Sequence, residues 1–431
     1  MSAHSSMRVF VVVWLGQLLS LVGSGLTGFA LGIWVYQQSG SVSELALIFL
    51  TTTLPAILVG PLAGALTDRW DRRLTMMLSD SGAGLSTAAV ALLLATGNLE
   101  TWHIYLATAV SSFFSAFQWP AYMASISLLV PKQHLGRANG MTQLGEAVSE
   151  LIAPVLGAAL LVSMGLHDII LIDLVTFLLA LITLLGVSFP QPKKKVTRET
   201  NISLWDELKV GFRYLTTRPG LLGMMVFFAT TNFLLGVVEV LAVPLVLSFA
   251  STSLLGTILS VGGLGMVAGS VVMSVWGGPP QRIETAFCFM LLVGVSIIAC
   301  GLRPSVLVWS IAPFLLFFSL PIIDGSVQVV LQEKVAPEVQ GRVFALDRAI
   351  SSAFLPLAYL VAGPLADYIF EPLMAEGGPL AESIGPLIGT GPGRGIALLF
   401  IVMGSLTILV SVVAYHYPRL RLVEDELPDV I

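Results

Sequence analysis

Four acidic residues lie inside long apolar stretches of the chain, where an ionisable side chain is costly and usually functional. Glu146 and Glu150 are four residues apart, so a helix places them on one face. Glu239 lies within NFLLGVVEVLAVP and Asp324 within FFSLPIIDGSVQ. A carboxyl group in such a place can bind and release a proton or attract a cationic substrate. All four residues are therefore proton-coupling candidates.

A hydrogen bond that only joins two helices is the alternative role for each acid. We favour that structural role for Asp80, Asp173 and Asp347, which lie nearer the ends of their apolar runs. The four acids named first lie deeper and remain the candidates for proton or cation binding.

Long apolar runs must position these acids. The 431 residues are 56% hydrophobic and 11% charged, with a mean hydropathy of +0.90. Runs of about 18 apolar residues can cross the roughly 30 Å hydrocarbon core as helices, and these runs are too long for outer-membrane barrel strands. We predict an all-α membrane protein with twelve transmembrane helices. The predicted spans are approximately 9–36, 43–66, 74–96, 101–128, 138–165, 168–189, 220–248, 252–276, 284–302, 305–330, 343–370 and 395–416.

Basic residues alternate between the segments that join these spans. If the N-terminus is cytoplasmic, all but two of the 21 Lys and Arg residues fall in inner segments, the exceptions being Arg303 and Arg394. Cytoplasmic segments carry an excess of Lys and Arg. The pattern therefore predicts a multi-pass membrane protein with both termini in the cytoplasm.

The chain divides near its middle into similar halves. The sequence VPKQHLGRANGM at 130–141 matches VAPEVQGRVFAL at 335–346, with Gly-Arg at the same place in each. We predict an N-terminal six-helix bundle over 1–189, a cytoplasmic linker with an amphipathic helix over 190–219, and a C-terminal six-helix bundle with a short tail over 220–431. Duplicated halves of this kind are common in transporters, where two bundles rock around a central site.

A charged loop lies between the second and third predicted spans. It reads GALTDRWDRRL over residues 64–74 and carries five charged residues within six positions. Gly60 and Gly64, followed by Asp68-Arg69 and Arg72-Arg73, resemble the signature loop of the major facilitator superfamily. The resemblance extends over essentially the whole chain. It implies a secondary transporter with two pseudo-symmetric six-helix bundles.

The same resemblance implies a cytoplasmic gate formed by Gly60, Gly64, Asp68, Arg69 and Arg72. Glycines four residues apart allow a neighbouring helix to approach closely. Asp68, near the C-terminal end of a helix, is disfavoured there unless a cation or another helix N-terminus pairs with it. Membrane anchoring by the arginines alone is the alternative, but it leaves the acids and the glycines unexplained.

Within the superfamily, the sequence is similar to bacterial exporters of the macrolide-efflux and enterobactin-export type. The segments that carry this similarity are VPKQHLGRANG, APEVQGRVFAL, DELKVGFRYL and GPLIGTGPGRGIALLF. They imply export of a small amphipathic molecule, such as a drug, a macrolide-like or a siderophore-like compound, by proton antiport. Proton-coupled import of a small solute is the alternative.

Polar residues within the spans complete a candidate substrate pathway, and these are Gln17, Gln118, Trp119, Asn232 and Gln328. Pro154 and Gly157 resemble, in weakened form, the Gly/Pro motif of superfamily antiporters, and a Pro there bends a helix. The predicted fourth span has no Arg, although many proton-coupled members carry one. Carboxyl groups would then have to carry the proton.

Several other functions are excluded by what the sequence lacks. Cys288 and Cys300 are about 18 Å apart along one helix, so they cannot form a disulfide with each other. The histidines form no metal-ligand pattern, and no Walker loop or nucleophile elbow is present. A membrane-embedded lipid-modifying enzyme is the less favoured alternative, because the loops are short and mostly basic. We therefore expect no enzyme activity, no cofactor, no metal and no nucleic-acid partner. We expect a monomer that meets a small-molecule substrate, protons and the lipid bilayer.

Overall fold

A computed structural model of the chain describes residues 7–67, 70–130, 135–187, 212–276, 281–335 and 337–426. These residues form helices joined by short turns and loops, and the described part contains no strand. The chain divides into two compact units, Met1–Thr197 and Arg198–Ile431. The expectation of an all-helical protein is confirmed.

Unit 1, Met1–Thr197, contains six long helices in its described residues. They are α1 Met7–Ser39, α2 Val42–Thr67, α3 Arg72–Ala95, α4 Thr101–Leu129, α5 Leu135–Ser163 and α6 Gly165–Gly186. The turns between them are short, so successive helices run in opposite directions. Gly40 and Gly165 have positive φ, a backbone conformation that suits glycine at the tight connections after α1 and before α6.

Unit 2, Arg198–Ile431, also contains six long helices in its described part. They are α7 Pro219–Leu247, α8 Thr252–Trp276, α9 Arg282–Leu302, α10 Val306–Lys334, α11 Pro337–Pro364 and α12 Arg394–His416. A π-helical stretch, Leu365–Phe370, and a short helix, Glu371–Met374, extend α11. Two four-residue helices, Pro418–Arg421 and Val423–Glu426, follow α12.

The two units pack their helices in the same way. In unit 1 the extensive helix pairs are α1 with α5 and α6, α2 with α4, and α3 with α4 and α6. In unit 2 they are α7 with α11 and α12, α8 with α10, and α9 with α10 and α12. Adding six to each helix number converts the first set into the second. The duplication seen in the sequence therefore extends to the packing within each unit.

The helices have the length and composition of membrane spans. Within the described residues, ten of the long helices contain a segment long and apolar enough to cross a bilayer; α4 does not, and the described apolar segment of α5 is the shorter Ile152–Ser163. Each of these two helices contains an internal proline, Pro120 in α4 and Pro154 in α5, together with several polar residues. Large apolar side chains such as Leu58, Leu85 and Val275 are exposed, as expected for surfaces in contact with lipid.

A carboxylate caps the start of α12. Glu371 Oε1 accepts a hydrogen bond from the Ile396 N–H at 3.0 Å, and Glu371 Oε2 accepts one from the Gly393 N–H at 3.1 Å. Negative charge at a helix N-terminus is favourable because the helix dipole is positive there. Arg394, at the start of α12, is buried and donates to Ile388 O. Glu371 therefore joins the segment after α11 to the N-terminus of α12, and Arg394 joins the start of α12 to the residues just before it.

A second carboxylate fixes the chain after α12. Glu424 accepts hydrogen bonds from the N–H groups of Arg282 at 3.1 Å and Ile283 at 2.9 Å, which begin α9. The buried ammonium group of Lys334, at the end of α10, donates to the Glu424 carbonyl. Arg421 lies 3.5 Å from Glu284. The short helices after α12 thus hold the ends of α9 and α10 together.

We expect Glu424→Ala to destabilise unit 2. The substitution removes two charge-assisted hydrogen bonds, each worth about 1.5–3 kcal/mol in favourable cases. The thermal unfolding midpoint of the purified protein in detergent should fall. Asp425→Ala is the matched control, because Asp425 is exposed and adjacent. Equal midpoints for the two variants would show that Glu424 does not stabilise these helix ends.

Candidate functional site

A buried carboxyl group joins three helices of unit 1. Asp80, the ninth residue of α3, is 5% exposed. Gln17 Nε2 of α1 donates to Asp80 Oδ2 at 3.0 Å, and Gln118 Nε2 of α4 donates to Gln17 Oε1 at 2.7 Å. Among the described residues, no Lys, Arg or His forms an ion pair with Asp80. The carboxyl group is therefore surrounded by neutral amides.

One atom of this cluster lacks a hydrogen bond. Gln118 Oε1 is buried and has no partner among the described residues, although the Gln118 side chain also faces Asp80. A buried acceptor without a donor costs about 1–3 kcal/mol. The cluster is thus short of one hydrogen-bond donor beside Asp80.

A second buried carboxyl group lies between α1 and α6. Asp173, the ninth residue of α6, is 1% exposed, and Ser24 Oγ donates to its Oδ1 at 3.2 Å. The Thr27 hydroxyl faces the same carboxyl group, yet its buried Oγ1 has no hydrogen-bond partner in the described part of the chain. A Cβ at Gly23 would lie 3.0 Å from Asp173 Oδ1 and would clash with Thr176 Oγ1. Glycine there allows α1 to approach Asp173.

One face of α1 carries the partners of both acids. Gln17, Ser20, Ser24 and Thr27 follow a spacing of three or four residues, which places them along one side of the helix. Ser20 and Thr27 are 5% and 6% exposed. The rise of an α-helix separates Gln17 from Ser24 by about 10 Å along the axis. This polar face of α1 therefore connects the surroundings of Asp80 and Asp173.

The sequence predicted part of this arrangement. Gln17 and Gln118, two pathway candidates, are brought together in one hydrogen-bonded cluster. Trp119, the next residue of α4, is 40% exposed and lies outside that cluster beside Tyr122. The sequence favours a structural role for Asp80 and Asp173 and does not predict their burial against α1. The polar spacing along α1 is the feature of the sequence that indicates a helix face with polar partners.

In unit 2, Glu239 of α7 forms a hydrogen bond across a helix interface. Tyr359 Oη of α11 donates to Glu239 Oε2 at 3.1 Å. The Tyr359 side chain is buried, whereas Glu239 is exposed on its helix. A Cβ at Gly236 would lie 2.9 Å from Ala358 Cβ, so glycine brings α7 and α11 close at this point. A carboxylate in contact with lipid is costly, which favours water or substrate beside this face of α7.

Three further candidates in unit 2 lie on α7 and α10. Asn232 precedes Glu239 by seven residues, so both lie on one side of α7, and Asn232 is partly exposed. Asp324 and Gln328 are four residues apart on α10, and both are exposed. Polar side chains therefore occupy one face of α7 and one face of α10.

The acids predicted on α5 are only partly described. Glu146 and Glu150 lie within α5, but their side chains fall outside the described residues. Pro154 lies inside the helix, and a Cβ at Gly157 would be 2.9 Å from Phe29 of α1. Close packing of α5 on α1 thus depends on a small residue one turn after the proline.

The charged loop joins α3 to two neighbouring helices. Asp71 Oδ1 accepts a hydrogen bond from an N–H in the first turn of α3 at 2.9 Å. Arg72 Nη1 donates to Ala124 O of α4 at 2.6 Å. Arg73 donates to two carbonyls in the last turn of α6, each at 2.8 Å. Cations suit the C-terminal end of a helix, where the dipole is negative. The loop therefore anchors the start of α3 to α4 and α6.

Most residues of the predicted gate lie outside the described part of the chain. Asp68 and Arg69 are outside the described residues, and so are the surroundings of Gly64. A Cβ at Gly60 would meet no atom within 4 Å. Arg72 donates to the backbone of α4, as described above. The gating role of these residues stays a prediction.

Comparison with known proteins places this architecture in a family. Residues 13–369 match the family described as the Major Facilitator Superfamily. The chain belongs to this superfamily. The Macrolide efflux protein A of Streptococcus pyogenes is 26% identical over 365 residues, which cover 84% of this chain and 90% of that protein. The Enterobactin exporter EntS of Salmonella choleraesuis is 24% identical over 336 residues, covering 76% of this chain and 78% of that protein.

A solved structure shares the superfamily fold. The bacterial homologue of the human lysosomal transporter Spinster, in an inward-facing and unoccupied conformation, matches with a TM-score of 0.73 and 15% sequence identity. The match covers 97% of this chain and 98% of that one. The superfamily and its apolar helices make the chain a multi-pass membrane transporter rather than an enzyme, and its bacterial relatives point to the cell membrane. The resemblance stated from the sequence is confirmed.

We expect Gly23→Ala to disturb the contact between α1 and α6. The added methyl group must displace Thr176 or Asp173, and overpacking of this kind costs about 1–3 kcal/mol. The thermal midpoint of the purified protein should fall. Gly28→Ala, on the same helix, is the control because a Cβ there meets no atom within 4 Å. If Gly23→Ala unfolds at the wild-type temperature, α1 does not pack on α6 as described.

Proposed function

We propose that the chain is a twelve-span secondary transporter that exports a small amphipathic molecule in exchange for protons. Both termini lie in the cytoplasm, and a monomer moves its substrate by alternating access of two pseudo-symmetric six-helix bundles, 1–189 and 220–431, joined by the linker 190–219. The observation that carries this proposal is the similarity, over most of the chain, to relatives named as efflux or export proteins. A drug, a macrolide-like or a siderophore-like compound is the proposed substrate class.

The matching helix packing within the two units supports the alternating-access part of the proposal. Alternating access requires two bundles that each move as a body. The same five helix pairs hold each unit together, and Arg72, Arg73 and Glu424 tie helix ends within a unit. Each unit is thus built to keep its shape while the other moves.

Carboxyl groups are the proposed carriers of the proton. No Arg or Lys lies within α4, so the transporter lacks the Arg that many proton-coupled members place there. The candidates are Glu146, Glu150, Glu239 and Asp324. Glu239 is the best supported, because it is exposed on α7 and accepts a hydrogen bond from the neutral hydroxyl of Tyr359. A proton and a cationic substrate could compete for the same carboxylate.

Reconstitution in liposomes tests the proposal. Wild-type protein with an imposed pH gradient should move one member of a panel of dyes, macrolides and siderophores against the proton flow. Glu239→Gln mimics the protonated form, so it should abolish gradient-driven transport while substrate binding remains. Movement of substrate with the proton flow would establish import by symport instead.

The same vesicles should be prepared with Glu146→Gln and with Glu150→Gln. Full gradient-driven transport in these two variants and in Glu239→Gln would show that none of the three carboxyl groups couples transport to protons. Asp324 would then be the remaining candidate from the sequence.

The gate gives a separate prediction. Asp68→Asn should leave the protein folded and inserted but slow its turnover, because the loop loses the charge that holds the cytoplasmic side shut. Single cysteines placed near each end of α2 and labelled from either side of the membrane would report the change. Identical labelling in the wild type and in Asp68→Asn would contradict the gating role.

A further inference from the structure

The two buried acids of unit 1 are not explained by helix packing. Asp80 and Asp173 each occupy the ninth position of their helices, α3 and α6. The corresponding helices of unit 2 pack in the same pairs, and their ninth residues are Met290, which is buried, and Val402, which is partly exposed. Both positions hold apolar residues, and Met290 shows that α9 packs without a carboxyl group there. A buried carboxyl group is far costlier than a methionine or a valine unless it has another role.

The surroundings of each acid contain a buried oxygen without a hydrogen bond. An ionised carboxylate only accepts hydrogen bonds, whereas a protonated carboxyl group also donates one. Beside Asp80 the amide oxygen Gln118 Oε1 can only accept, and within the described residues it lacks the donor that a protonated Asp80 would supply. Beside Asp173 the buried Thr27 hydroxyl has no partner within the described residues, and a hydroxyl can donate to an ionised carboxylate or accept from a protonated one. The Asp80 site therefore suits a protonated carboxyl group, and the Asp173 site suits a group that gains and loses a proton.

Several ionisable groups on the neighbouring helices are engaged elsewhere. Arg72 and Arg73 bond to backbone carbonyls, and His167 pairs with Asp168 at the start of α6. Among the described contacts, Arg8, His103 and Tyr105 of α1 and α4 form no hydrogen bond or ion pair with Asp80 or Asp173. The other ionisable groups of these two helices are Tyr36 and Tyr122, and α5 carries Arg137, Glu146 and Glu150, whose side chains fall outside the described residues.

We propose that Asp80 and Asp173 are two proton-binding sites of the transporter, joined by the polar face of α1. When Asp80 takes up a proton, its O–H donates to Gln118 Oε1. When Asp173 takes up a proton, its O–H donates to Thr27 Oγ1. Release of either proton leaves a carboxylate that accepts from Gln17 or Ser24. The inference rests on the proposed proton antiport, and it adds two buried proton-binding sites in unit 1 to the carboxyl groups already proposed.

The position of the acids along the membrane fits this role. With the N-terminus in the cytoplasm, Asp80 lies eight residues from the inner end of α3, and Asp173 lies eight residues from the outer end of α6. Eight residues of helix span about 12 Å. One site is then nearer the inner surface and the other nearer the outer surface, with Gln17, Ser20, Ser24 and Thr27 between them.

Infrared difference spectra of the purified protein, recorded between acidic and alkaline pH, provide the test. A protonated buried carboxyl group gives a carbonyl-stretching band that an amide does not give. Asp80→Asn and Asp173→Asn should each remove part of the wild-type band, and gradient-driven transport in liposomes should fall to its rate without a gradient. Asp168→Asn is the control, because Asp168 is exposed and pairs with His167. It should change neither measurement.

Thr27→Val keeps Asp173 and removes only the unpartnered hydroxyl. If Asp173 carries a proton, its O–H loses an acceptor, so the band should move to higher frequency and the pH dependence of transport should shift. If Asp173 is only structural, the loss of an unused hydroxyl should change neither. This variant also decides the question if Asp173→Asn fails to insert.

The outcomes separate this inference from the proposed function. A wild-type protein that does not respond to a pH gradient would overturn proton antiport itself. A responsive wild type, with an unchanged band and full coupling in Asp80→Asn and Asp173→Asn, would overturn only the assignment of these acids. Loss of the band with coupling intact would also overturn it, because protons bound there would not drive transport.

Discussion

Inside a bilayer no water is available to the backbone, so every polar group of a spanning segment must find its partner within the protein. The ends of the helices show how this chain meets that requirement. Arg72 and Arg73 donate to carbonyls of α4 and α6, and Glu371 and Glu424 accept from the first N–H groups of α12 and α9. Charged side chains are scarce in the chain, and these four neutralise helix dipoles of neighbouring segments. The packing of each unit depends on these bonds.

The same constraint separates the acids inside the helices, Asp80 and Asp173, from the carboxylates that cap helix ends. A carboxylate placed at a helix N-terminus is stabilised by that helix, but Asp80 and Asp173 have amides and hydroxyls as described partners instead. Such groups stabilise a charge less than an ion pair or a helix terminus does. The free energy of burying Asp80 and Asp173 therefore depends strongly on whether each binds a proton. A transporter that is coupled to protons requires this property. Glu239 differs, because it is exposed and can meet a substrate directly.

Sequence reasoning predicted the features that leave a local or repeated signal. Long apolar runs predicted the helices, and the charged loop after Gly60 predicted the superfamily. The polar face of α1 is visible in the sequence, but its pairing with the buried acids is not, because Gln17 and Asp80 are 63 positions apart and Ser24 and Asp173 are 149 positions apart. The sequence places both acids nearer the ends of their apolar runs than the four candidate acids, and each lies about two turns inside its helix. The gate residues Asp68 and Arg69 remain predictions from the resemblance.

The matching helix packing of the two units explains how transport could become coupled to proton binding while the fold is kept. Because the same helix pairs pack in both units, an acid in one unit can be compared with the apolar residue that replaces it in the other. At the position of Asp80, α9 carries the buried Met290, so this packing does not require an acid and the acid is available for proton binding. A proton can bias two conformations only through its different affinity for them, by about 1.4 kcal/mol for each tenfold difference. Acids held against one face of α1 would respond to any movement of that helix. Exposed acids on α7 and α10 would respond instead to a proton or substrate that enters beside them. A transporter with buried acids in one unit and exposed acids in the other needs the two units to differ in chemistry while they remain alike in packing.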